Sequence, residues 1–326
     1  MTIDTNKPAG RRAGAQSGAA GRKTNRTERP YGEHKPDPVE EFRNSRQDRF
    51  ISSLSANLNV MIQAVQKAGR GLARDFGELE NLQISKKGAA DFASSADMNS
   101  EKTLREYLLK ARPRYGFLME ESGSLGGADT SHRWIIDPLD GTTNFLHAIP
   151  HFAISLALQE DKEIIAGVIY NPVSGDLFYA EKGGGAWAIT ASGSCRLHVS
   201  DRNKMQEALV VTGIPHLGHG KPDEFIPQLI PMMQKTAGVR RMGSASLDMA
   251  YVAAGRFECY WENGIKPWDI AAGMVILKEA GGRFCTIKGS EDPFTVLQDG
   301  SIIATNDRLF NTIKKQIMTA QKDETK

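Results

Sequence analysis

The sequence predicts an α+β fold in which helices and β-sheets are stacked in layers. Amphipathic segments with a helical period occur in both the first and the last third of the chain. Between them, strand-like segments follow one another with connections too short for parallel crossovers, which indicates an antiparallel meander. Helices combined with a meander in one chain favour a layered sandwich.

The first predicted helix begins after residue 46, and a second runs from Met98 to Lys110 with Asp97 as its N-cap. Apolar residues that share one face of the first helix are Leu54, Leu58, Met61, Ile62, Val65 and Leu72. The apolar run 134–136 then predicts a buried strand.

The meander is predicted over 152–159, 163–171 and 177–181, with a turn at 172–176 before its third strand. Later elements are a strand at 209–212, helices near 223–235 and 245–254, a strand at 258–261, a helix at 270–280, a strand at 301–305 and a helix near 307–319. Gly281 and Gly282 are a C-cap signal for the helix that precedes them.

Composition is that of an ordinary globular protein, with 40% hydrophobic and 25% charged residues in a chain of 326. The formal net charge is +2, but its distribution is uneven. Residues 1–50 hold 11 Lys and Arg against 7 Asp and Glu, whereas the rest of the chain holds 30 against 32. The basic excess therefore belongs to the amino-terminal segment, and the folded body carries no electrostatic signature of nucleic-acid binding.

Residues 1–45 are rich in Gly, Ala, Arg, Lys, Asn and Pro and contain almost no large apolar side chains. Such a segment cannot bury enough surface to offset its ordering entropy, so we predict a disordered basic extension. Binding of RNA or an acidic partner is the alternative for this extension. The predicted folded domain covers 46–320, and 321–326 are expected to form a flexible tail.

Cysteine usage and hydropathy predict a cytoplasmic protein. The three cysteines, Cys195, Cys259 and Cys285, form no CxxC pair, which fits a reducing compartment and gives no indication of a zinc site or a disulfide framework. No stretch of 18 apolar residues is present, and no apolar segment follows the basic residues at the amino terminus. We therefore expect neither a membrane span nor a secretory signal.

Two carboxylates end the predicted buried strand at 134–136. Asp137 and Asp140 stand three residues apart, and Pro138 and Gly141 force a turn before a helix start at Thr142. A carboxylate pair beside free backbone N–H groups suits the binding of divalent cations next to a phosphate. A simple turn is the alternative, since Asp, Pro and Gly all favour turns.

Three more carboxylate groups have equally plain alternatives. Glu120 and Glu121 follow an apolar segment and would ordinarily be a solvated loop pair. Asp269 and Asp97 each precede a predicted helix and would serve as N-caps. None is decisive alone. Because converging elements can bring such ends together, and carboxylate oxygens suit Mg²⁺, the groups jointly predict a magnesium site. No His or Cys grouping competes for a softer metal.

The sequence resembles the inositol monophosphatase family at several separate motifs. Its two signature motifs correspond to Asp-Pro-Leu-Asp-Gly-Thr-Thr-Asn-Phe at 137–145 and Trp-Asp-Ile-Ala-Ala-Gly at 268–273, the latter continued by Lys-Glu-Ala-Gly-Gly at 278–282. Phe-Leu-Met-Glu-Glu-Ser at 117–122 resembles the family's Gly-Glu-Glu-Ser loop. The similarity runs from about residue 50 to 318 in the expected order. It implies the layered αβαβα sandwich of the sugar phosphatases.

The resemblance also implies a metal set and a catalytic set. Glu120, Asp137 and the Leu139 carbonyl would hold one Mg²⁺, and Asp137, Asp140 and Asp269 a second. Catalysis would depend on Glu120, with Thr142 and Asp97 orienting and deprotonating the attacking water. Backbone N–H groups of Gly141 and Thr142 would bind the phosphate. The remaining implied residues are Gly243, Ser244, Ala245 and Glu262 for the substrate's hydroxyls, and Lys86 and Asp91 for an accessory loop near a further metal.

Two places in the sequence refine the comparison with the family: one departs from its usual pattern, and the other distinguishes between its branches. Met119 stands where the family usually has Gly, and a positive φ there would strain the loop. We expect the change to be tolerated because both glutamates remain. Relatives that act on 3′-phosphoadenosine nucleotides usually have Lys-Glu where this chain has Thr142 to Asn144, so the resemblance is to the inositol phosphatase branch.

The expected function is Mg²⁺-dependent hydrolysis of inositol monophosphate to inositol and phosphate. Two-metal phosphoryl transfer needs no covalent protein nucleophile, so we assign no role to any Cys or His, including His147 and His151. The resemblance further implies inhibition by Li⁺ and a homodimer. The same chemistry on fructose 1,6-bisphosphate, histidinol phosphate or NADP is the nearest alternative. A regulatory role in transcription or ribosome assembly is the alternative from another class.

Overall fold

The computed structural model of the protein describes residues 54–82, 88–216 and 220–322. The predicted extension 1–45 and Lys86 lie outside these ranges, so the expectations for them stay predictions. Of the predicted tail 321–326, residues 321 and 322 are described and continue the last helix.

The helices are, in chain order, α1 (Ala56–Leu82), α2 (Gly88–Ala111), α3 (Thr142–Leu146), α4 (Pro222–Lys235), α5 (Ala245–Ala253), α6 (Pro267–Glu279), α7 (Pro293–Asp299) and α8 (Phe310–Lys322), with a 3₁₀ turn at Met205–Glu207. The strands are β1 (Gly116–Met119), β2 (Gly123–Leu125), β3 (His132–Asp140), β4 (Ala153–Glu160), β5 (Glu163–Tyr170), β6 (Leu177–Glu181), β7 (Ala186–Thr190), β8 (Gly193–Arg196), β9 (Leu209–Thr212), β10 (Gly238–Arg240), β11 (Cys259–Asn263), β12 (Arg283–Cys285) and β13 (Ser301–Thr305).

Within the described ranges the strands form an eight-stranded sheet, in the order β2-β1-β3-β4-β5-β6-β7-β8, and a five-stranded sheet, in the order β10-β9-β11-β13-β12. From β3 to β8 each strand pairs antiparallel with the next, so the predicted meander is confirmed and continues further than expected. Strand β1 pairs parallel to β3, which places the ends of these two strands at the same edge of the sheet.

Helices and sheets alternate in five layers, which confirms the layered α+β fold. Helices α1 and α2 cover one face of the large sheet, α5 and α6 lie between the sheets, and α4 and α8 cover the outer face of the small sheet. Successive side chains of a strand point to opposite faces of the sheet, so they belong to different hydrophobic cores on its two sides. Trp134 packs under α1 and α2, whereas Ile135 faces the layer between the sheets. In β11, Tyr260 and Trp261 divide in the same way between the inner and outer cores.

Two predicted helix starts were wrong. Helix α2 begins at Gly88, so Asp97 lies inside the helix and is not its N-cap. Helix α6 begins at Pro267, with Lys266 as its N-cap and Asp269 in its first turn. Asp is favoured at a helix N-cap, but Asp97 is the tenth residue of α2 and Asp269 is the third residue of α6. Pro267 was the overlooked signal, because proline is favoured at the first position of a helix.

No helix of the described residues is long and apolar enough to cross a membrane.

Candidate active site

Asp137 and Asp140 lie where β3 deviates from regular pairing. The register between β3 and β4 shifts between these two residues. Pro138 accounts for the irregularity, because it has no N–H to donate to a neighbouring strand. Asp137 is 1% exposed, and its Oδ1 accepts a hydrogen bond of 3.0 Å from the Leu139 amide. The turn therefore holds both carboxylates rigidly at the end of a buried strand.

Asp140 is bound by the amino-terminal end of α5. Its carboxylate accepts hydrogen bonds from the Ser244 hydroxyl at 2.6 Å, the Ala245 amide at 3.2 Å and the Ser246 amide at 2.8 Å, and also from the Ser246 hydroxyl. A helix start favours an adjacent anion. Burial raises the pKa of Asp140, while these hydrogen bonds oppose the shift. Ser244 and Ala245, predicted to contact substrate, thus also hold a predicted metal ligand; Ser246 was missing from the predicted site.

Glu120 follows β1 directly and enters the same region. Its amide donates a 3.2 Å hydrogen bond to the Ile136 carbonyl of β3. The preceding Met119 is buried in the β1 ladder opposite Gly123, and the positive φ in this turn, 72°, belongs to Gly123. Met119 therefore needs no left-handed backbone, and its tolerance in place of Gly stays a prediction.

Asp269 completes the acidic group from α6. Its Oδ2 accepts the Lys266 amide at 2.8 Å, so the side chain caps its own helix and faces back towards β3. The Ser155 hydroxyl donates to the Trp268 carbonyl at 2.9 Å and ties the start of α6 to β4. The charges of Glu120 and Asp269 both act on the carboxyl group of Asp137. Three separate elements therefore bring their acids to one point.

The electrostatics of this group are those of crowded, desolvated acids. Burial, followed by the charges of Asp140, Glu120 and Asp269, raises the pKa of Asp137 well above its usual range. The pKa of Asp269 rises to about 8, chiefly through burial and then through Asp140. Asp97 also reaches a pKa of about 8 through burial and then the Glu120 charge. Like charges this close favour protonation unless a cation joins them.

The donor chemistry fits a hard divalent cation. Within the described residues, no group of three or more His, Cys, Asp and Glu side chains has the geometry of a formed metal site. The available donors are all carboxylate and carbonyl oxygens, as Mg²⁺ prefers. In addition, Asp97 Oδ1 is buried without a hydrogen-bond partner and would be satisfied by a bound water. Glu120, Asp137, Asp140 and Asp269, with the Leu139 carbonyl, are the residues that would hold the ion.

Two glycines let the β3–α3 turn approach the segment before α5. Gly141 has φ 97° and Gly243 has φ 91°, a region that favours glycine. A Cβ on Gly141 would lie 3.2 Å from the Gly243 carbonyl oxygen, and one on Gly243 would lie 2.6 Å from Arg241 Nη1. Asn144 fastens the approach, because its Nδ2 donates to the His151 carbonyl at 2.7 Å and the Met242 carbonyl at 2.9 Å. The first amides of α3 have no acceptor within the helix and are available to an anion.

The Thr142 hydroxyl donates to the Leu139 carbonyl at 3.1 Å. Its pairing with Asp97 through a water stays a prediction. Asp91 lies in the first turn of α2, and its accessory role likewise stays a prediction.

The acidic group and the glycine-containing turns border an open cavity of about 380 Å³. Of the predicted site, the residues that line it are Glu120, Asp140, Gly141, Thr142, Gly243, Ser244, Ala245, Glu262 and Asp269. Glu262 lies on the small sheet, and its Oε2 accepts the Tyr260 hydroxyl at 2.7 Å. A Cβ at Gly213 would lie 2.0 Å from the Glu262 carboxyl, so only glycine leaves room for that side chain. The cavity thus joins an acidic floor on one sheet to a polar wall on the other.

Sequence reasoning missed several charged residues near the cavity. Arg241, His216 and Asp248 all line it, and Asp248 Oδ1 is buried without a hydrogen-bond partner. Glu101 of α2 is 2% exposed and binds the turn that carries Glu120. Its signal was weak, because an acid in an amphipathic helix ordinarily belongs to the solvent face.

Known proteins match this chain over most of its length. It is 52% identical over 261 residues to an inositol-1-monophosphatase from Caulobacter vibrioides, which covers 80% of this chain and 100% of the relative. It is 38% identical over 273 residues to the Nus factor SuhB of Pasteurella multocida, covering 82% and 98% respectively. The crystal structure of the extragenic suppressor protein suhB from Bartonella henselae superposes with a TM-score of 0.72 at 45% identity, covering 81% of this chain and 98% of that one.

The layered fold, the acidic cavity and these relatives define the class of the protein, which is a phosphatase acting on phosphoric monoesters. The model of the inositol monophosphatase family matches residues 53–323. The chain belongs to the inositol monophosphatase family.

Proposed function

We propose that this protein is a Mg²⁺-dependent phosphomonoesterase that hydrolyses inositol monophosphate to inositol and phosphate. The observation that carries the proposal is the convergence of Glu120, Asp137, Asp140 and Asp269 at one end of a cavity lined by Gly141 and Thr142. Relatives named inositol-1-monophosphatase at 51% and 52% identity support the substrate.

Mg²⁺ bound by these acids would activate a water molecule and neutralise charge on the phosphate. The chain's own residues would do the rest. Amides of Gly141 and Thr142 bind phosphate oxygens at the start of α3. Asp97 Oδ1, buried and unpartnered, receives a proton from the water that Thr142 orients. Since these residues are fixed by the fold, catalysis consists mainly of positioning and charge stabilisation.

Substrate hydroxyls would be bound on the opposite wall. Glu262 presents a carboxyl held by Tyr260, and the Gly243 to Ala245 segment lines the same cavity. A polyol phosphate matches this division, with its phosphate over the acids and its hydroxyls against polar side chains. Larger apolar esters would find few partners there.

The test is phosphate release from a panel of esters with and without Mg²⁺. The panel contains inositol monophosphate, fructose 1,6-bisphosphate, histidinol phosphate and NADP. We expect Mg²⁺-dependent turnover with the highest kcat/KM for inositol monophosphate. Absence of Mg²⁺-dependent turnover on every ester would refute the enzyme assignment, whereas a preference for another ester would refute only the substrate.

Three further properties belong to the proposal: inhibition by Li⁺, a homodimeric state and a cytoplasmic location. Free cysteines at 195, 259 and 285 support a reducing compartment. Sedimentation of the full chain tests the dimer, and inhibition of phosphate release by millimolar LiCl relative to KCl tests the cation effect.

Similarity to proteins named Nus factor SuhB supports a second candidate, a regulatory partner in transcription or ribosome assembly. The basic segment 1–45 precedes the family match and would provide an RNA-binding extension. Deleting it is expected to leave phosphate release unchanged. RNA affinity, measured by fluorescence anisotropy, would fall if the extension binds RNA and would be the same in both chains if it does not.

A further inference from the structure

Glu101 is a buried carboxylate with an unusual set of partners. It is 2% exposed, and within the described residues no Lys, Arg or His lies within ion-pairing distance of it. Its Oε2 accepts the Glu121 amide at 2.9 Å, and its Oε1 accepts the Ser122 amide at 3.1 Å as well as the Ser122 hydroxyl. Burying a charge without a counter-charge is costly.

All of its partners belong to the turn that carries Glu120. The Glu120 amide is fixed to the Ile136 carbonyl, and the next two amides are fixed to Glu101. Three consecutive peptide units are therefore tied to the body of the protein. Because the Glu120 side chain starts from the first of these units, its direction towards Asp137 depends on the anchor.

Helix α2 presents Glu101 together with other residues that contact the site. Asp97 lies one helical turn earlier, on the same face, with its Oδ1 buried. Ser100 donates its hydroxyl to the Pro138 carbonyl at 2.9 Å, inside the turn between Asp137 and Asp140. One face of α2 thus holds both acid-bearing turns in a fixed relation.

A carboxylate suits this set of contacts, because its Oε2 also accepts the Ser122 amide at 3.4 Å and neither oxygen opposes a donor. It offers two acceptor oxygens, and both are used by N–H or O–H donors. A glutamine in the same place would oppose one backbone N–H with its own NH₂ group. The requirement for an acid is therefore set by the turn and not by any bound group.

We propose that Glu101 is a positioning residue, whose carboxylate fixes the turn at 120–122 so that Glu120 can bind the divalent cation. The inference rests on the proposed function only in assuming that the acids bind such a cation. Outer partners of metal ligands typically contribute about 10–100-fold in metal affinity. Glu101 acts through the backbone and touches neither cation nor substrate.

The test compares the full-length protein with Glu101→Gln. Calorimetric titration with MgCl₂ or MnCl₂ gives cation affinity directly, and phosphate release against Mg²⁺ concentration gives a second midpoint. We expect Glu101→Gln to weaken cation binding by about 10-fold or more. At saturating Mg²⁺, kcat and the KM for the ester should return to within about 3-fold of wild type.

The matched control is Glu258→Gln, which changes another fully buried glutamate that accepts a backbone amide but lies on the second sheet. It should lower thermal stability without moving the Mg²⁺ midpoint. Ser122→Ala, which removes only the hydroxyl contact, should shift the midpoint in the same direction by a smaller factor and serves if Glu101→Gln does not fold.

An unchanged cation affinity in Glu101→Gln, or in Ser122→Ala where the former does not fold, overturns the proposal. Lost kcat that saturating Mg²⁺ does not restore overturns it as well. If the wild-type protein binds Mg²⁺ but releases no phosphate, the proposed function fails while the calorimetric comparison still decides the role of Glu101. A wild-type protein that binds no divalent cation refutes both.

Discussion

The buried acids in two regions of this molecule have opposite electrostatic surroundings. At the cavity floor, burial raises the pKa of Asp137, and the surrounding charges of Asp140, Glu120 and Asp269 raise it further. On the second sheet, Glu258 is equally buried, but its Oε1 accepts Arg202 Nη1 at 2.8 Å and its Oε2 accepts the Leu209 amide at 2.7 Å. One region concentrates like charge, and the other neutralises it.

The difference separates residues that stabilise the fold from residues that await a ligand. Paired and hydrogen-bonded charge can remain in the interior without large loss. Unpaired charge lowers the stability of the cation-free protein, and that loss is recovered when a cation binds the folded state. Substitutions in the two regions should therefore have opposite effects on stability and activity.

The largest effect is expected from Asp137→Asn. Because Asp137 lies among three other acids that would hold the cations, its loss should lower kcat/KM by about 10³-fold or more under the two-metal mechanism. The cation-free protein should nevertheless become more stable, since a neutral amide relieves desolvation and repulsion. Phosphate release and thermal unfolding in EDTA measure the two effects. A fall in both would mean that Asp137 stabilises the fold and would break the comparison.

The next effect is a dependence of stability on pH. Asp97 and Asp269 have a folded-state pKa of about 8, above the value of an unfolded carboxyl. A raised folded pKa means that the folded state holds more protons, so stability is complete at low pH and is lost as pH rises towards 8. The loss is at most about 1.4 kcal/mol per pH unit for each group.

Thermal unfolding in EDTA from pH 5 to pH 9 measures this loss, and saturating Mg²⁺ should reverse most of it above pH 7. Asp97→Asn serves as control, because its curve should be flatter than that of the wild type. A melting temperature that rises with pH in EDTA would contradict the assignment of raised pKa values.

How much of this contrast the sequence could predict differs between the regions. Asp137, Asp140, Glu120 and Asp269 stand at ends of recognisable elements and belong to motifs, so their convergence could be anticipated. The strands β4 to β6 were predicted because their apolar content and short connections leave few alternatives. Glu258 gave no signal, since its partner Arg202 is 56 positions away and pairing across that distance depends on the fold.

Other parts of the structure could not be predicted for related reasons. Strand β8 is exposed along its whole length and has no apolar pattern to identify it. Glu101 and Ser246 act through contacts with distant turns, which local preference does not encode. The predicted starts of α2 and α6 lay several residues too late, so Asp97 falls inside α2 and Asp269 in the first turn of α6, where it still caps its own helix.

A smaller effect is expected on the neutralised side. Glu258→Gln removes a charge-assisted hydrogen bond to Arg202 and should lower the free energy of unfolding by about 2 kcal/mol. Activity per folded molecule should be unchanged, because Glu258 is not among the residues that line the cavity. Urea denaturation and active-site-normalised turnover measure the two. Equal losses of stability and turnover would show that the two regions are coupled.

The smallest effect concerns an exposed pair of ion contacts, which tests how far burial governs the contrast. Glu291 accepts Lys314 Nζ and Arg283 Nη2, each at 2.8 Å, and these hydrogen bonds lower its pKa. Its side chain is 45% exposed, so solvent screens the interaction, and Glu291→Gln should lower the free energy of unfolding by less than about 1 kcal/mol. A depressed folded pKa gives stability that is present at neutral pH and lost as the carboxylate is protonated, so the difference from wild type should disappear below about pH 4.

Urea titrations at pH 7 and pH 3.5, with and without 1 M NaCl, measure this difference in the free energy of unfolding. A loss as large as that of Glu258→Gln would show that charge pairing matters here irrespective of burial, and the contrast between the two buried regions would then have to rest on ligand binding alone.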